Sequence, residues 1–184
     1  MLNQLIDAIK KDAKNWAKFK DLCVEKEIAA RTILLHEGQI SRHVHFIRKG
    51  CLRLWFNKEG KDITFQFFFE GQGVSSMDSF FSGQPSLFTL ESIEPSILCS
   101  FSKDNFNKLL KLFPDINKGF QDYIFQRLGN YSNLFLSRIK DTPKERYEDL
   151  IKNHTEIIKR IPQHYIASYL GITPISLSRI RNKK

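Results

Sequence analysis

The residues best equipped for chemistry lie at the end of the chain. The stretch Ile161–Lys184, IPQHYIASYLGITPISLSRIRNKK, carries Ser176, Ser178, Arg179, Arg181, Lys183 and Lys184 and contains no Asp or Glu. Arginine reads guanine O6 and N7 in a major groove, whereas scattered Lys, Arg and Ser hydroxyls meet phosphates. The chemistry on offer is therefore recognition of a polyanion and not the making of bonds. A second candidate is His43-Val44-His45, two imidazoles alternating along an expected strand. Such a pair makes half a metal site. Arg48, Lys49 and Gly50 stand where a carboxylate ligand would follow, and only His36 remains as another barrel imidazole. No metal or cofactor is expected. Paired carboxylates, a nucleophile–base pair and a phosphate loop are all missing from the pattern, since Gly71-Gln72-Gly73 is too short to make one. An enzyme is not expected.

The terminal stretch reads as two short helices joined by a tight turn. Pro162 suits a first helical turn and Gly171 a left-handed stop. Ile166, Leu170 and Ile172 would face inward, with Ala167 small where the helices cross. Thr173 would cap the second helix, Pro174 would sit in its first turn, and Leu177 and Ile180 would hold it against the first. Pro174, Ile175, Ser176, Ser178, Arg179 and Asn182 are left pointing outward. This is the pattern of a helix-turn-helix.

The elements upstream must position that pair. Among 184 residues the net charge is +9, but from Arg138 onward 11 Lys and Arg face 5 Asp and Glu. A nearly balanced body thus carries a basic end, as expected of a phosphate-binding module joined to something else. Three scattered cysteines (Cys23, Cys51, Cys99), the lack of a long apolar run and the lack of a signal-peptide core point to a reducing cytoplasm without a membrane span. Residues 1–27 show helical spacing through Leu2, Leu5, Ile6, Ile9, Trp16, Phe19, Leu22 and Cys23. From Arg31 to Phe101, short apolar runs punctuated by glycine mark an antiparallel β-barrel or sandwich. Asn57-Lys58-Glu59-Gly60 suits a hairpin turn, and the alternating Phe65, Phe67 and Phe69 suit a barrel interior. Ser102 would cap the next helix. Pro114 would start a long one, whose Ile116, Phe120, Tyr123, Ile124, Leu128, Tyr131, Leu134 and Phe135 cover more than one face. Such a helix buries one side on its own barrel and the other on a partner. Thr142-Pro143 would start a further helix.

In this order, a glycine-punctuated barrel, a long helix and a terminal helix-turn-helix resemble the Crp/Fnr transcription regulators. HFIRKGCLRL looks like that family's barrel strand-turn-strand, FPDI like the start of its long helix, and IASYLGITPISLSRI like its DNA-reading end. The resemblance covers roughly Ile28 to Lys184. It implies an α+β fold: a double-stranded β-helix (jelly-roll) barrel in residues 1–112, a dimerisation helix in 113–140 and a helix-turn-helix domain in 141–184 without a full wing. It also implies a homodimer on double-stranded promoter DNA in contact with RNA polymerase. Base contacts fall to Pro174, Ile175 and Arg179, and phosphate contacts to Ser176, Ser178, Arg181, Lys183 and Lys184. Partner contacts along the long helix fall to Ile116, Phe120, Tyr123, Ile124, Tyr131 and Leu134.

In members that bind cyclic nucleotides, a glutamate holds the ribose and an arginine the phosphate. Aligned here, those positions are Ser76 and Ser86, within a degenerate site of Ser75, Ser76, Ser86 and Leu87, and Asp78 nearby would repel an anion. An unpaired buried phosphate costs several kcal/mol, so the resemblance implies another effector or none. The alternative reading is a cupin-like barrel that binds a ligand or metal, its basic helical end serving protein contacts.

Overall fold

Two four-stranded antiparallel sheets lie face to face at the centre, and both are covered by helices on their outer sides. The computed structural model describes residues 9–182. Helix α1 (Ala13–Leu22) precedes strands β1 (Val24–Ile28), β2 (Ile33–Leu35), β3 (His43–Lys49), β4 (Leu52–Lys58), β5 (Lys61–Phe68) and β6 (Gly73–Val74). A short helix α2 (Met77–Ser82) leads to β7 (Thr89–Ser92) and β8 (Ser96–Ser102). Then come α3 (Lys103–Leu112), α4 (Pro114–Lys140), α5 (Pro143–Asn153), α6 (Thr155–Arg160), α7 (Gln163–Leu170) and α8 (Pro174–Asn182). Strand order is β1-β8-β3-β6 in one sheet and β2-β7-β4-β5 in the other. The α+β barrel architecture follows.

Pleat alternation sorts the side chains into three cores. Ile47, Leu52, Leu54, Phe68, Val74, Leu90 and Leu98 fill the space between the sheets. On the outer face of the first sheet, Val44, Phe46, Cys99 and Phe101 meet Phe19 of α1, Phe106 and Leu109 of α3, and Ile116 of α4. On the outer face of the second, Cys51, Phe67 and Phe69 meet Tyr147, Leu150, Ile157, Ile166, Ala167, Leu170 and Leu177 of the terminal helices.

The local signals account for most of the boundaries. Ser102 accepts from Asn105 N and caps α3, Pro114 opens α4, and Thr142 with Glu145 makes a reciprocal capping box on α5. The β4–β5 hairpin turns on Glu59 (φ 53°) and Gly60 (φ 80°), with Asn57 Oδ1 accepting from Gly60 N at 2.9 Å. Two positive φ angles give the turn whose twist matches its strands.

Two expectations are corrected. The helical spacing read across residues 1–27 stops at Leu22, and Val24–Ile28 is a strand paired with β8. Its alternating Val24, Lys26 and Ile28 belong to a β period, and the part of the pattern at Leu2, Leu5 and Ile6 lies outside the described residues. The second correction concerns the phenylalanine ladder. Phe67 and Phe69 point out of the barrel into the terminal helices, while Phe68 points inward. A register shift beside Leu54 and Trp55 leaves Phe65 without a ladder partner and changes the parity of the strand. Because this sheet is covered on both faces, alternation alone does not say which face is the interior.

The terminal helices are also held to the barrel by charge. Arg160 donates to Glu70 through Nη1 and Nη2, each at 2.8 Å, and also to Glu94. Arg160 beside it holds the Glu70 carboxyl down at about 2. A carboxyl with a depressed folded pKa lends stability above its unfolded value, lost as pH falls through the folded one. Arg160→Ala is therefore expected to cost about 1 kcal/mol near pH 7. The gap from wild type should narrow as pH falls from about 4.5 to about 2, read as denaturant midpoints. A pH-independent gap would remove this contact from the account.

Candidate nucleic-acid interface and ligand cleft

α7 ends at Gly171, which is left-handed (φ 71°). Its N–H reaches Ser168 O at 3.0 Å while Ile172 N reaches Ala167 O at 3.0 Å. This is the Schellman closure, and only glycine enters it without strain. Thr173 Oγ1 then accepts from Ser176 N at 3.1 Å and starts α8. Ala167 is fully buried, Leu177 nearly so and Ile180 half-buried. The two helices therefore cross where the sequence placed their contact.

Outward from α8 stand Pro174, Ile175, Ser178, Arg179, Arg181 and Asn182, with Ile175 66% exposed. Ser176 differs from its expected place, being half-buried with its hydroxyl 3.0 Å from Thr173 Oγ1 in the cap. Lys183 and Lys184 lie outside the described residues. Sequence reasoning missed what grips this pair from behind. Arg138, near the end of α4, donates to Tyr169 O at 2.6 Å, and Arg146 of α5 donates to Leu170 O at 3.0 Å. These carbonyls end α7, where cations are favoured.

From the barrel side, Arg53 is 1% exposed and bonds Glu91 (3.0 and 2.7 Å), Asp62 (3.1 Å) and Thr64 (3.3 Å). Its guanidinium lies 3.8 Å over the Tyr165 ring of α7. Ser168 Oγ accepts from Thr64 N at 2.8 Å and donates to Asp62 O at 2.7 Å, continuing the edge of β5 into α7. No spacing rule in the sequence announces this contact.

The other site is a cleft of about 330 Å³ between the barrel and α4. Ser75, Ser76 and Asp78 line it, as do Leu54, Phe65, Phe68 and Phe88 of the barrel and Tyr123, Arg127 and Tyr131 of α4. Ser86 and Leu87, expected with Ser75 and Ser76, are not brought into it. Ser86 Oγ is spent within its own turn, donating to Phe88 O at 2.7 Å and accepting from Phe88 N at 3.0 Å. Leu87 is 67% exposed. Within the cleft, Ser75 Oγ donates to His43 O and lies 2.9 Å from Ser41 Oγ. Arg127 is the cation lining the cleft, bonded to Gln66 (2.7 Å) and Tyr131 (2.5 Å) above the Phe68 ring. Aromatic rings thus dominate, and Asp78 and Arg127 are the charged residues of the lining.

On α4, most of the residues expected to face a partner pack on this chain's own barrel and helices. Ile116 is 2% exposed in the chain's own core. Phe120 packs on Phe106 with ring centroids 5.1 Å apart, Tyr123 donates to Gly73 O at 2.8 Å, and Tyr131 stacks on Phe65. Ile124 and Leu134 are half-buried at the border. Phe125 (73%), Leu128 (62%), Phe135 (65%) and Ile139 (66%) are the most exposed apolar residues of α4, with Leu136 (43%) beside them. With Ser132 they recur at alternate steps of three and four, the spacing of a coiled-coil seam. Both faces are apolar, so composition alone could not say which one meets the barrel.

The histidine pair is split between surface and interior. His43 is exposed, while His45 is buried with Nδ1 2.8 Å from Ser100 Oγ, and burial pushes its pKa down to about 3. Among the described residues no three His, Cys, Asp or Glu gather.

Residues 25–112 match the cyclic nucleotide-binding domain family. No curated protein matches in sequence. Solved structures do match in fold. A CooA variant from Carboxydothermus hydrogenoformans is 16% identical with a TM-score of 0.73, over 90% of this chain and 77% of that one. The c-di-GMP responsive global regulator CLP of Xanthomonas campestris is 15% identical at 0.71, over 94% and 91%. FixK2 of Bradyrhizobium japonicum is 16% identical at 0.71, over 88% and 84%.

Replacing Gly171 by Ala should cost about 1–2 kcal/mol, the usual cost of a Cβ in the left-handed region. Thermal unfolding checks this, and an unchanged midpoint would deny the turn its strain. Residues 25–112 match the cyclic nucleotide-binding domain family, and the chain as a whole shares the fold of these solved structures.

Proposed function

We propose that this chain is a transcription regulator that binds promoter DNA as a homodimer, reading it with α8. The observation that carries the reading is the sidedness of that helix: Leu177 is buried on α7 while Ile175, Ser178, Arg179 and Arg181 face out. Arg179 is the residue suited to guanine, and Ile175 and Pro174 to thymine methyl groups. Arg181 and Ser178, with Lys183 and Lys184 beyond, supply phosphate contacts. RNA polymerase as a further partner follows from the resemblance alone.

The partner surface is the seam Phe125, Leu128, Ser132, Phe135 and Ile139. A two-fold axis along α4 would set two copies of α8 side by side, as half-sites one helical turn apart require. An effector, where one acts, meets the cleft between barrel and α4. Ser76 is uncharged and Asp78 repels an anion, while the cleft's cation, Arg127, is already engaged by Gln66 and Tyr131, so cyclic AMP and cyclic GMP are poor candidates. A cytoplasmic location fits this role, and among the described residues no helix is long and apolar enough to cross a membrane.

Two experiments test the reading. Arg179→Ala should abolish discrimination between the chain's own promoter DNA and random DNA in a mobility shift, while weak non-specific binding persists. Removing Arg181–Lys184 should instead weaken both and flatten the salt dependence. Equal discrimination in the first variant would exclude Arg179 as a base reader. Light scattering should give a dimer that Leu128→Asp converts to monomer, and a monomeric wild type at micromolar concentration would overturn the role of the seam.

A further inference from the structure

Cys23 and Cys99 are far apart in sequence and adjacent in the fold. Cys23 follows α1 and immediately precedes β1, its N–H turned back to Lys20 O at 3.3 Å. Cys99 lies in β8, where its cross-strand partner is Glu25. Two residues back from Glu25, Cys23 falls on the same face, diagonally across from Cys99. That face is the one covered by helices. Both sulfurs belong to the cluster built on Phe19, Phe46 and Phe101.

The two thiols have unequal surroundings. Cys23 is half-buried and Cys99 is 3% exposed. The neighbouring Cys99 side chain holds the Cys23 thiol below its ordinary range; burial and Glu25 oppose this, and Arg48 and Lys20 add to it. Cys99 is pushed up, first by its neighbour Cys23 and then by burial. Cys51 serves as an internal contrast. It lies in the other helix-covered core, with its thiol toward Leu52 O at 3.7 Å, and burial raises it to about 12.

We propose that Cys23 and Cys99 form an oxidisable dithiol, which a hydroperoxide converts to an intramolecular disulfide joining the α1–β1 junction to β8. The Cys23 thiolate attacks the outer peroxide oxygen, the O–O bond breaks, and a sulfenic acid forms as hydroxide or alkoxide leaves. The Cys99 sulfur then attacks the Cys23 sulfur. The S–O bond breaks, and the Cys99 proton leaves with the hydroxide as water. Two thiols lose two electrons and two protons, and hydrogen peroxide accepts both to give two waters. The bond needs the Cβ atoms drawn in from diagonal spacing to about 3.5–4.5 Å. Cys23 precedes the ladder on an edge strand, so it can move without breaking a strand pair. The product fastens α1 to the sheet on which α3 and α4 rest, and Asn105 Nδ2 already ties α3 to Leu22 O at 3.0 Å.

Peptide mapping of the full chain after brief exposure to hydrogen peroxide tests this. The expected product is a Cys23–Cys99 cross-linked peptide within one chain, an intact mass lighter by two hydrogens, a free Cys51, reversal by dithiothreitol and a higher thermal midpoint. Cys23→Ser should leave Cys99 as an unoxidised thiol under the same treatment. Cys99→Ala should let dimedone trap Cys23 as sulfenic acid, and if that variant fails to fold, Cys23→Ser decides alone. Cross-links between chains through Cys23, oxidation of Cys23 with Cys99 still open to alkylation, or oxidation of Cys99 in Cys23→Ser would each overturn the proposal.

Discussion

The arrangement depends on one buried charge. Arg53 sits near the start of β4 with 1% of its surface exposed, between the barrel and the first helix of the terminal pair. An isolated guanidinium there would be untenable, since a buried charge without partners costs several kcal/mol. Glu91, Asp62 and Thr64 satisfy it from the barrel, and the Tyr165 ring covers it from α7. The ring is therefore required on that spot. Around it, Cys51, Phe67 and Phe69 provide apolar burial that is indifferent to rotation, while the Arg53 fork and the Ser168 bridge to Thr64 and Asp62 fix one orientation. Directional contacts choose the pose, and apolar area stabilises it.

Once α7 is placed, α4 has little freedom left. Its C-terminal Arg138 holds the last turn of α7, and its middle carries Tyr123, Arg127 and Tyr131 along the cleft. Arg127 and Arg138 are about three turns apart on one continuous helix. A ligand that favoured a different seating of α4 in the cleft would act on the grip at Tyr169 without any intermediary chain of contacts. It would do so only by the difference in its affinity for the two seatings. Thus the cleft, the proposed partner seam and the terminal helix pair share a single element, α4.

What was legible in the sequence follows from which signals are local. Gly171, Thr173, Ser102, Pro114 and Thr142 announce their turns and caps because one residue and its near neighbours decide them. The burial of Ala167 and Leu177 was legible for the same reason: two short helices in a hairpin leave one inner face. Facing was not legible wherever an element is covered twice. Phe67 and Phe69 on β5, and Ile116, Phe120 and Tyr131 on α4, are as apolar as their outward neighbours, and only the tertiary partner distinguishes them. The helical spacing into Val24 failed because an edge strand of alternating charge carries little signal against the helix before it. Arg53, Arg138 and Arg160 were invisible as anchors, since an arginine in a basic chain reads as surface until its carboxylates and carbonyls are located.

The seam on α4 has a composition that limits how strongly two copies can hold. Four large apolar side chains line it, and Ser132, whose hydroxyl donates to Leu128 O at 3.1 Å, interrupts them at the centre. In the proposed dimer, eight such side chains contribute about 1.5–3 kcal/mol each at most. Association alone costs roughly 4–15 kcal/mol. The surplus is moderate, so whatever shifts α4 by a fraction of its seam changes the dimer as well as the spacing of its two reading helices. A weak seam, a small base-reading face centred on Arg179 and a firm barrel contact at Arg53 then make physical sense together. The barrel supplies the fixed frame, and in the proposed dimer DNA affinity and half-site spacing would follow the seating of α4.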